Sequence, residues 1–185
     1  MITVGFKRLT DDAILPVRAH YSDSGFDLFA NENLIIEPGE TIVVKTGIAI
    51  NLPDGYEAQV RPRSGISSKT KLRVQLGTID NSYTGEIGII VDNTENHDES
   101  LQDEFHDDTL KDISERLINA WDYLDAFDDF HNVNSYLIKK GDKLAQLVIQ
   151  KLPQVHAYEV DKLPDTERGT NGFGSTGSKV GEKDD

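Results

Sequence analysis

The chain has 185 residues, a formal net charge of -14, 37% hydrophobic residues and no cysteine. Its length suits one domain with a core of its own, the missing thiols exclude disulfides, thiolate nucleophiles and sulfur-ligated zinc, and the negative balance argues against general affinity for nucleic acid, where cations must face phosphates. No apolar run approaches the ~20 residues of a bilayer crossing, and the opening MITVGFKRLTDD has no signal-peptide apolar region, so a soluble cytoplasmic protein that binds neither nucleic acid nor membrane is expected.

Along the chain, Ile2, Val4 and Phe6 alternate as in a short strand, and YSDSGFDLFA sets Gly25 and Asp27 among aromatics. Leu34 to Ile36, the turn Glu37-Pro38-Gly39-Glu40 and the β-branched run Thr41 to Ile50 follow, then the turn Leu52-Pro53-Asp54-Gly55 and the alternating Tyr56, Ala58 and Val60. Arg61 to Arg73 holds five cations and no acid. Within it, Arg63-Ser64-Gly65 offers a cation, a hydroxyl and a backbone amide in three residues, which is chemistry fit for phosphate, although a solvated turn answers the same description. Val74 to Asn93 reads as a hairpin, with the carboxylate of Asp80 and the ring of Tyr83 beside its turn. Alone, Asp80 reads as an ordinary turn residue.

From Thr94 to Asn132 there are 13 Asp plus Glu against 2 basic residues, a net of -11 that leaves only -3 for the rest of the chain. Leu110, Ile113, Leu117, Trp121 and Leu124 recur at intervals of three and four behind the capping candidates Asp107, Asp108 and Thr109, and a connection of about forty residues far exceeds a hairpin loop. These features predict a small acidic helical insertion between two strands, its apolar stripe packed on the body. Tyr136 to Ile138, Leu144 to Ile149 and Val155 to Val160 read as strands, and from Asp161 the chain turns rich in Gly, Ser and Thr, a flexible tail. Short strands punctuated by turns indicate an all-β sandwich, jelly roll or barrel. The expected divisions are a β core at 1–93 and 133–160, the insertion at 94–132 and a glycine-rich arm at 161–185.

Gly172, Gly174 and Gly177 satisfy GxGxxG, but no helix can follow and no βαβ unit surrounds them. Phe173, flanked by glycines, is instead suited to stack on a base while Arg168, Ser175 and Thr176 reach phosphates. Asp92, Thr94 and Asn96 resemble the start of a calcium loop, but His97 stands where that loop needs glycine, so no protein-caged metal is assigned.

Together and in this order, SDSGFDL (Ser22 to Leu28), RPRSG (Arg61 to Gly65), GTIDNSYTGEI (Gly77 to Ile87), GDKLAQL (Gly141 to Leu147) and RGTNGFGSTG (Arg168 to Gly177) resemble the five motifs of the trimeric dUTP diphosphatases, or dUTPases. The extra acidic segment is similar to that of phage-encoded dUTPases from Gram-positive hosts, which would place the protein in a host cytoplasm. The resemblance implies an all-β, jelly-roll-like subunit in a homotrimer, with each active site built from three chains and the third motif supplied by a neighbour. It implies hydrolysis of dUTP to dUMP and pyrophosphate, with Asp80 as the catalytic base. Ser64, Gly65 and Gln146 would hold phosphates with Arg63 behind them; the backbone of Gly77, Thr78 and Ile79 would read uracil; Tyr83 would lie beneath the sugar; and Arg168, Phe173, Gly174, Ser175 and Thr176 would close the site. Mg2+ would bridge the phosphates, touched by Asp27 through water. Two positions depart from the family pattern: Phe26 where many relatives have Tyr, and Val74 where some have an Asn that reads uracil. Two rival functions share these features: a nucleotide-gated regulator that binds a repressor-like partner through 94–132, and a dCTP deaminase of the same fold.

Overall fold

Apolar residues at every second position dictate the architecture of the computed structural model, which describes residues 2–96, 109–119 and 134–171. In chain order the strands are β1 (Gly5–Arg8), β2 (Phe26–Phe29), β3 (Leu34–Ile36), β4 (Thr41–Lys45), β5 (Ile48–Asn51), β6 (Tyr56–Pro62), β7 (Leu72–Val74), β8 (Gly77–Ile79), β9 (Gly88–Asn93), β10 (Thr109–Asp112), β11 (Leu117–Asn119), β12 (Tyr136–Ile138) and β13 (Lys143–Lys151), with one short helix, α1 (Ser64–Lys69). They form four sheets, ordered β2-β13-β6-β8, β4-β9-β7, β11-β10-β12-β3 and β1-β5. All-β is therefore the observed class. Ile89 and Val91 are buried while Ile90 between them is exposed, and Leu28, Ile36, Val44, Leu72, Ile87 and Leu147 join them in one core. The helix α1 is far too short to cross a membrane, and none of the described helices is long and apolar enough to do so.

Two units are distinguished, Met1–Pro153 and Gln154–Asp185. In the second, residues 154–171 contain no strand, so the strand expected from Val155 to Val160 is absent; Gly169, at φ 54°, closes a turn in which its N–H donates to the Thr166 carbonyl.

Three further expectations are corrected by pairing. The run Thr41 to Ile50 is two strands, because Gly47 adopts φ +67° and turns the chain between β4, which pairs with β9, and β5, which pairs with β1. The expected hairpin from Val74 to Asn93 closes only at its base, where Val74 pairs with Val91 and the Gln75 N–H donates to the Ile90 carbonyl at 2.9 Å. Its strand β8 pairs with β6 and its strand β9 with β4 and β7, so residues 80–87 carry the chain from one sheet to another. Finally, the described part of the acidic insertion is a strand pair and not a helix. β10 lies parallel to β12 and antiparallel to β11, with Leu110 and Asp112 buried and Lys111 between them less so. Trp121 and Leu124 of the expected helix, and its caps Asp107 and Asp108, lie outside the described residues.

The carboxylate of Asp112 explains why a turn wins over helical periodicity. It accepts the backbone N–H groups of Ser114 (2.8 Å) and Arg116 (3.1 Å), which forms an Asx-type turn, and it pairs with the Arg116 guanidinium at 2.7 Å and Lys139 at 3.4 Å. Glu115 adopts φ 63° in that turn and its carboxylate meets the hydroxyl of buried Tyr136, while Lys111 pairs with Glu95 at 3.0 Å. The two ends of the insertion also meet. Buried Asn93 donates to the carbonyls of Ile36 (3.1 Å) and Asn134 (2.9 Å), and the Asn134 side chain donates to the Asn96 carbonyl at 3.2 Å.

Burial alone would raise the pKa of Asp112, but its hydrogen bonds from Arg116 and Ser114, with the Lys139 charge, hold it below the ordinary 3.8. A carboxyl lowered on folding stabilises the fold fully above its unfolded value, and this contribution disappears as pH falls through the lower, folded one. Asp112→Ala should therefore cost about 1–3 kcal/mol near neutral pH, the range for losing charge-assisted hydrogen bonds from groups that water can then reach, and Asp112→Asn should flatten the loss of stability below pH 3.8. Urea unfolding followed across acidic pH measures both.

Candidate functional site

The crossover 80–87 is fixed at both ends. Near its start, Asn81 Nδ2 donates to the carbonyls of Leu52 (3.1 Å) and Pro53 (2.7 Å), and the Tyr83 N–H donates to the Asp80 carbonyl at 3.0 Å. At its end, the Thr46 hydroxyl donates to the Ile87 carbonyl at 2.6 Å, and the Ile87 N–H donates to the Ile48 carbonyl at 2.8 Å. Between these posts Asp80 is exposed and Tyr83 is 45% exposed, its hydroxyl donating to the Glu86 carbonyl at 2.8 Å. Asp80 and Tyr83 line a cavity of about 240 Å³ together with Gly77, Thr78, Ile79 and Glu86. Among the described residues β8 pairs with β6 alone, so the other edge of Gly77 to Ile79 presents backbone donors and acceptors that no described strand takes.

A second group gathers where β2, β13 and β6 lie side by side. The register sets Gln146 opposite both Asp27 and Arg61, so residues far apart in sequence share one row. Asp27 binds Arg63 Nε at 3.1 Å through one oxygen and Lys143 Nζ at 2.9 Å through the other. Arg63 also donates to the Lys143 carbonyl at 2.8 Å, and Gln146 Nε2 donates to the Pro62 carbonyl at 3.0 Å. Arg63 caps α1, Ile66 anchors that helix in the core, and Ser64 and Gly65 stand exposed in its first turn, where amides lack helical acceptors. Two cations against one carboxylate leave this corner positive, which suits phosphate.

The structure thus assembles the expected site residues into two groups. None of Asp27, Arg63, Ser64, Gly65 or Gln146 lines the cavity that holds Asp80 and Tyr83. Arg168 belongs to the second unit and donates from Nε to the Asn171 carbonyl at 3.1 Å; Phe173, Gly174, Ser175 and Thr176 lie outside the described residues. Sequence reasoning overlooked Lys143 and Glu86, although both stand inside quoted motifs.

A caged metal ion does not fit at Asp27, since both carboxylate oxygens are engaged by cations, and among the described residues no three His, Asp or Glu converge. This donor set fits only an ion that arrives with its own phosphate ligands and meets Asp27 through water, in keeping with magnesium's hold on its hydration shell.

Comparison with known proteins gives one answer throughout. The dUTPase family model matches residues 11–103 and 131–177. A deoxyuridine 5'-triphosphate nucleotidohydrolase of Clostridioides difficile is 38% identical over 179 residues, 96% of this chain and 99% of its own. The dUTPase of Staphylococcus bacteriophage 80alpha, solved as a mutant with dUpNHpp, superposes with a TM-score of 0.81 at 34% identity, covering 96% of this chain and 99% of its own; a second structure of that phage's dUTPase, with dUPNHPP, matches equally well and belongs to phage dUTPases that control transfer of virulence genes by a proto-oncogenic G protein-like mechanism. A mutant dUTPase of phage phi11 of S. aureus, with a coordinated structural Mg(II) ion, superposes with a TM-score of 0.77 at 32% identity, covering 89% of this chain and 100% of its own.

The packing around Gln146 is tight enough to test. A Cβ at Gly25 would lie 2.7 Å from Gln146 Oε1 and 3.0 Å from Gln146 Cβ. Gly25→Ala should therefore displace that side chain and cost about 1–3 kcal/mol by overpacking, read as a lower urea midpoint.

Proposed function

The chain belongs to the dUTPase family, and on that premise we propose how its residues carry out the family's reaction. It hydrolyses dUTP to dUMP and pyrophosphate, which limits uracil incorporation into DNA and supplies dUMP. The observation that carries the assignment of roles is the edge strand β8, whose unpaired backbone runs into Asp80 beside the Tyr83 cavity. Uracil presents acceptor, donor and acceptor along one edge, and the free edge of Gly77, Thr78 and Ile79 offers the complement. Tyr83 lies beneath the sugar and excludes a ribose 2'-hydroxyl. Asp80 orients a water and takes its proton as the oxygen attacks the α-phosphorus; the bond to the β-phosphate oxygen breaks, and pyrophosphate leaves with the electron pair.

Ser64, Gly65 and Gln146 hold phosphate oxygens, with Arg63 supporting them and kept in place by Asp27. Mg2+ bound with the triphosphate would neutralise charge on the leaving group, and Asp27 would be the residue that holds it, through water. The arm residues Arg168, Phe173, Gly174, Ser175 and Thr176 cover the base and phosphates. The separation of the Asp80 cavity from the phosphate corner within one chain supports a homotrimer whose sites are shared, Asp80 facing the corner of a neighbour. Exposed apolar side chains at Val155, Tyr158 and Leu163 are surface that such an assembly would cover.

We assign the β body to 1–93 and 133–160, the insertion to 94–132 and the arm to 161–185, working in the cytoplasm; the family model's gap at 104–130 falls within the assigned insertion, although its match extends to residue 103. A second role for the insertion is favoured by its net charge of -11 and by the gene-transfer control described for phage dUTPases. It offers an acidic surface to a basic, repressor-like protein.

Pyrophosphate release with Mg2+, offered dUTP, dCTP, dTTP and UTP in parallel, should be confined to dUTP, and Asp80→Asn should lower it about 100- to 10,000-fold, the usual worth of a positioned base. Release from several nucleotides, or an unaffected variant, would refute these roles. Replacing the Asp and Glu of 98–108 and 122–129 by Asn and Gln, with 109–119 untouched, should weaken capture of a basic repressor in a titration while dUTP turnover persists; unchanged capture would remove the docking role.

A further inference from the structure

Glu86 is held from two sides in a way the assigned roles leave unused. Its side-chain Oε1 accepts the Gly47 N–H at 2.7 Å, and its backbone carbonyl accepts the Tyr83 hydroxyl at 2.8 Å. Gly47 is itself immobilised. It adopts φ +67°, a Cβ there would lie 2.7 Å from the Ala13 Cβ and 2.8 Å from Asn31 Nδ2, and its carbonyl accepts the Leu9 N–H at 2.8 Å. Only glycine tolerates that conformation in that space, so its N–H is aimed at Glu86 by the backbone and not by a movable side chain. A Cβ at Gly85 would lie 2.5 Å from the Tyr83 hydroxyl oxygen and 2.6 Å from Tyr83 Cζ, so the hydroxyl end of the ring lies close over the turn. The chain Gly47 to Glu86 to Tyr83 is thus continuous, and Glu86 lines the same cavity as the ring it fixes.

We infer that Glu86 is a positioning residue for sugar discrimination, locking the carbonyl that orients Tyr83 against the pentose. The inference rests on the reading of Tyr83 as the group that excludes a ribose. A ring whose hydroxyl is bonded to a fixed carbonyl and lies close over the Gly85 turn yields little to a 2'-hydroxyl, whereas a ring on a loose turn can withdraw. The carboxylate acts here as an acceptor, so an amide of the same length should replace it.

The readout is the ratio of kcat/KM for dUTP to that for UTP, measured on trimeric protein for Glu86→Ala, Glu86→Asp, Glu86→Gln and Tyr83→Ala. Glu86→Ala and the shortened Glu86→Asp should lower the ratio about tenfold, the scale of one charge-assisted hydrogen bond, chiefly through better use of UTP; Glu86→Gln should keep it. Gly85→Ala, which displaces the ring without touching Glu86, should lower it as well and serves if the Ala variant does not fold. An unchanged ratio in Glu86→Ala or Glu86→Asp, beside a collapsed ratio in Tyr83→Ala, would overturn the role of Glu86 alone. A ratio retained by Tyr83→Ala would overturn both readings. Equal losses for both nucleotides would reduce Glu86 to a structural residue and overturn the inference.

Discussion

The backbone of Ile87 is paired completely with one corner of the β4–β5 connection: its carbonyl takes the Thr46 hydroxyl and its N–H gives to Ile48, both out of reach of water. Leaving either group unsatisfied in the core would cost about 1–3 kcal/mol, so this point in the chain has essentially one position. β8 is fixed equally firmly on β6. Residues 80–86 must therefore span two immovable supports in different sheets. A turn closing a hairpin could slide with its strands; this one cannot, which suits the roles proposed for Asp80 and Tyr83, whose placement would decide the chemistry.

Electrostatics at the other group follow the same logic of prior arrangement. Arg63 and Lys143 share the single carboxylate of Asp27, so they are held still without being neutralised. On the proposed roles the residual positive charge would face a phosphate without the reorganisation that free side chains or water would need, which is the main source of electrostatic gain in such sites.

Much of this was legible in the residues. Alternation gave the strands of the core, and motif strings named nearly every member of both groups. What the sequence withheld was pairing. Gly77 to Ile79 and Gly88 to Asn93 flank a turn-rich stretch and look like partners, yet the first goes to β6 and the second lies between β4 and β7. Leu110, Ile113 and Leu117 keep a helical spacing, but the same spacing accommodates strand, turn and strand once Asp112 folds its carboxylate back on the turn. The anchoring of Glu86 depends on a partner 39 residues earlier, and the ion pairs of Asp27 depend on sheet register. Neither leaves a local signal.

The bond between Asn93 and Asn134 has a meaning beyond cohesion. Because the chain leaves and re-enters the β body at one stapled point, and returns to it between only through β10 and β11, the stretches 97–108 and 120–133 join points that the body fixes whatever their length. With the ends already fixed, doubling the length of a flexible connection costs only about 0.6 kcal/mol in closure entropy. Such a port lets a lineage lengthen, recharge or exchange the segment beyond it as quickly as its surroundings change, while the catalytic body beneath stays the same.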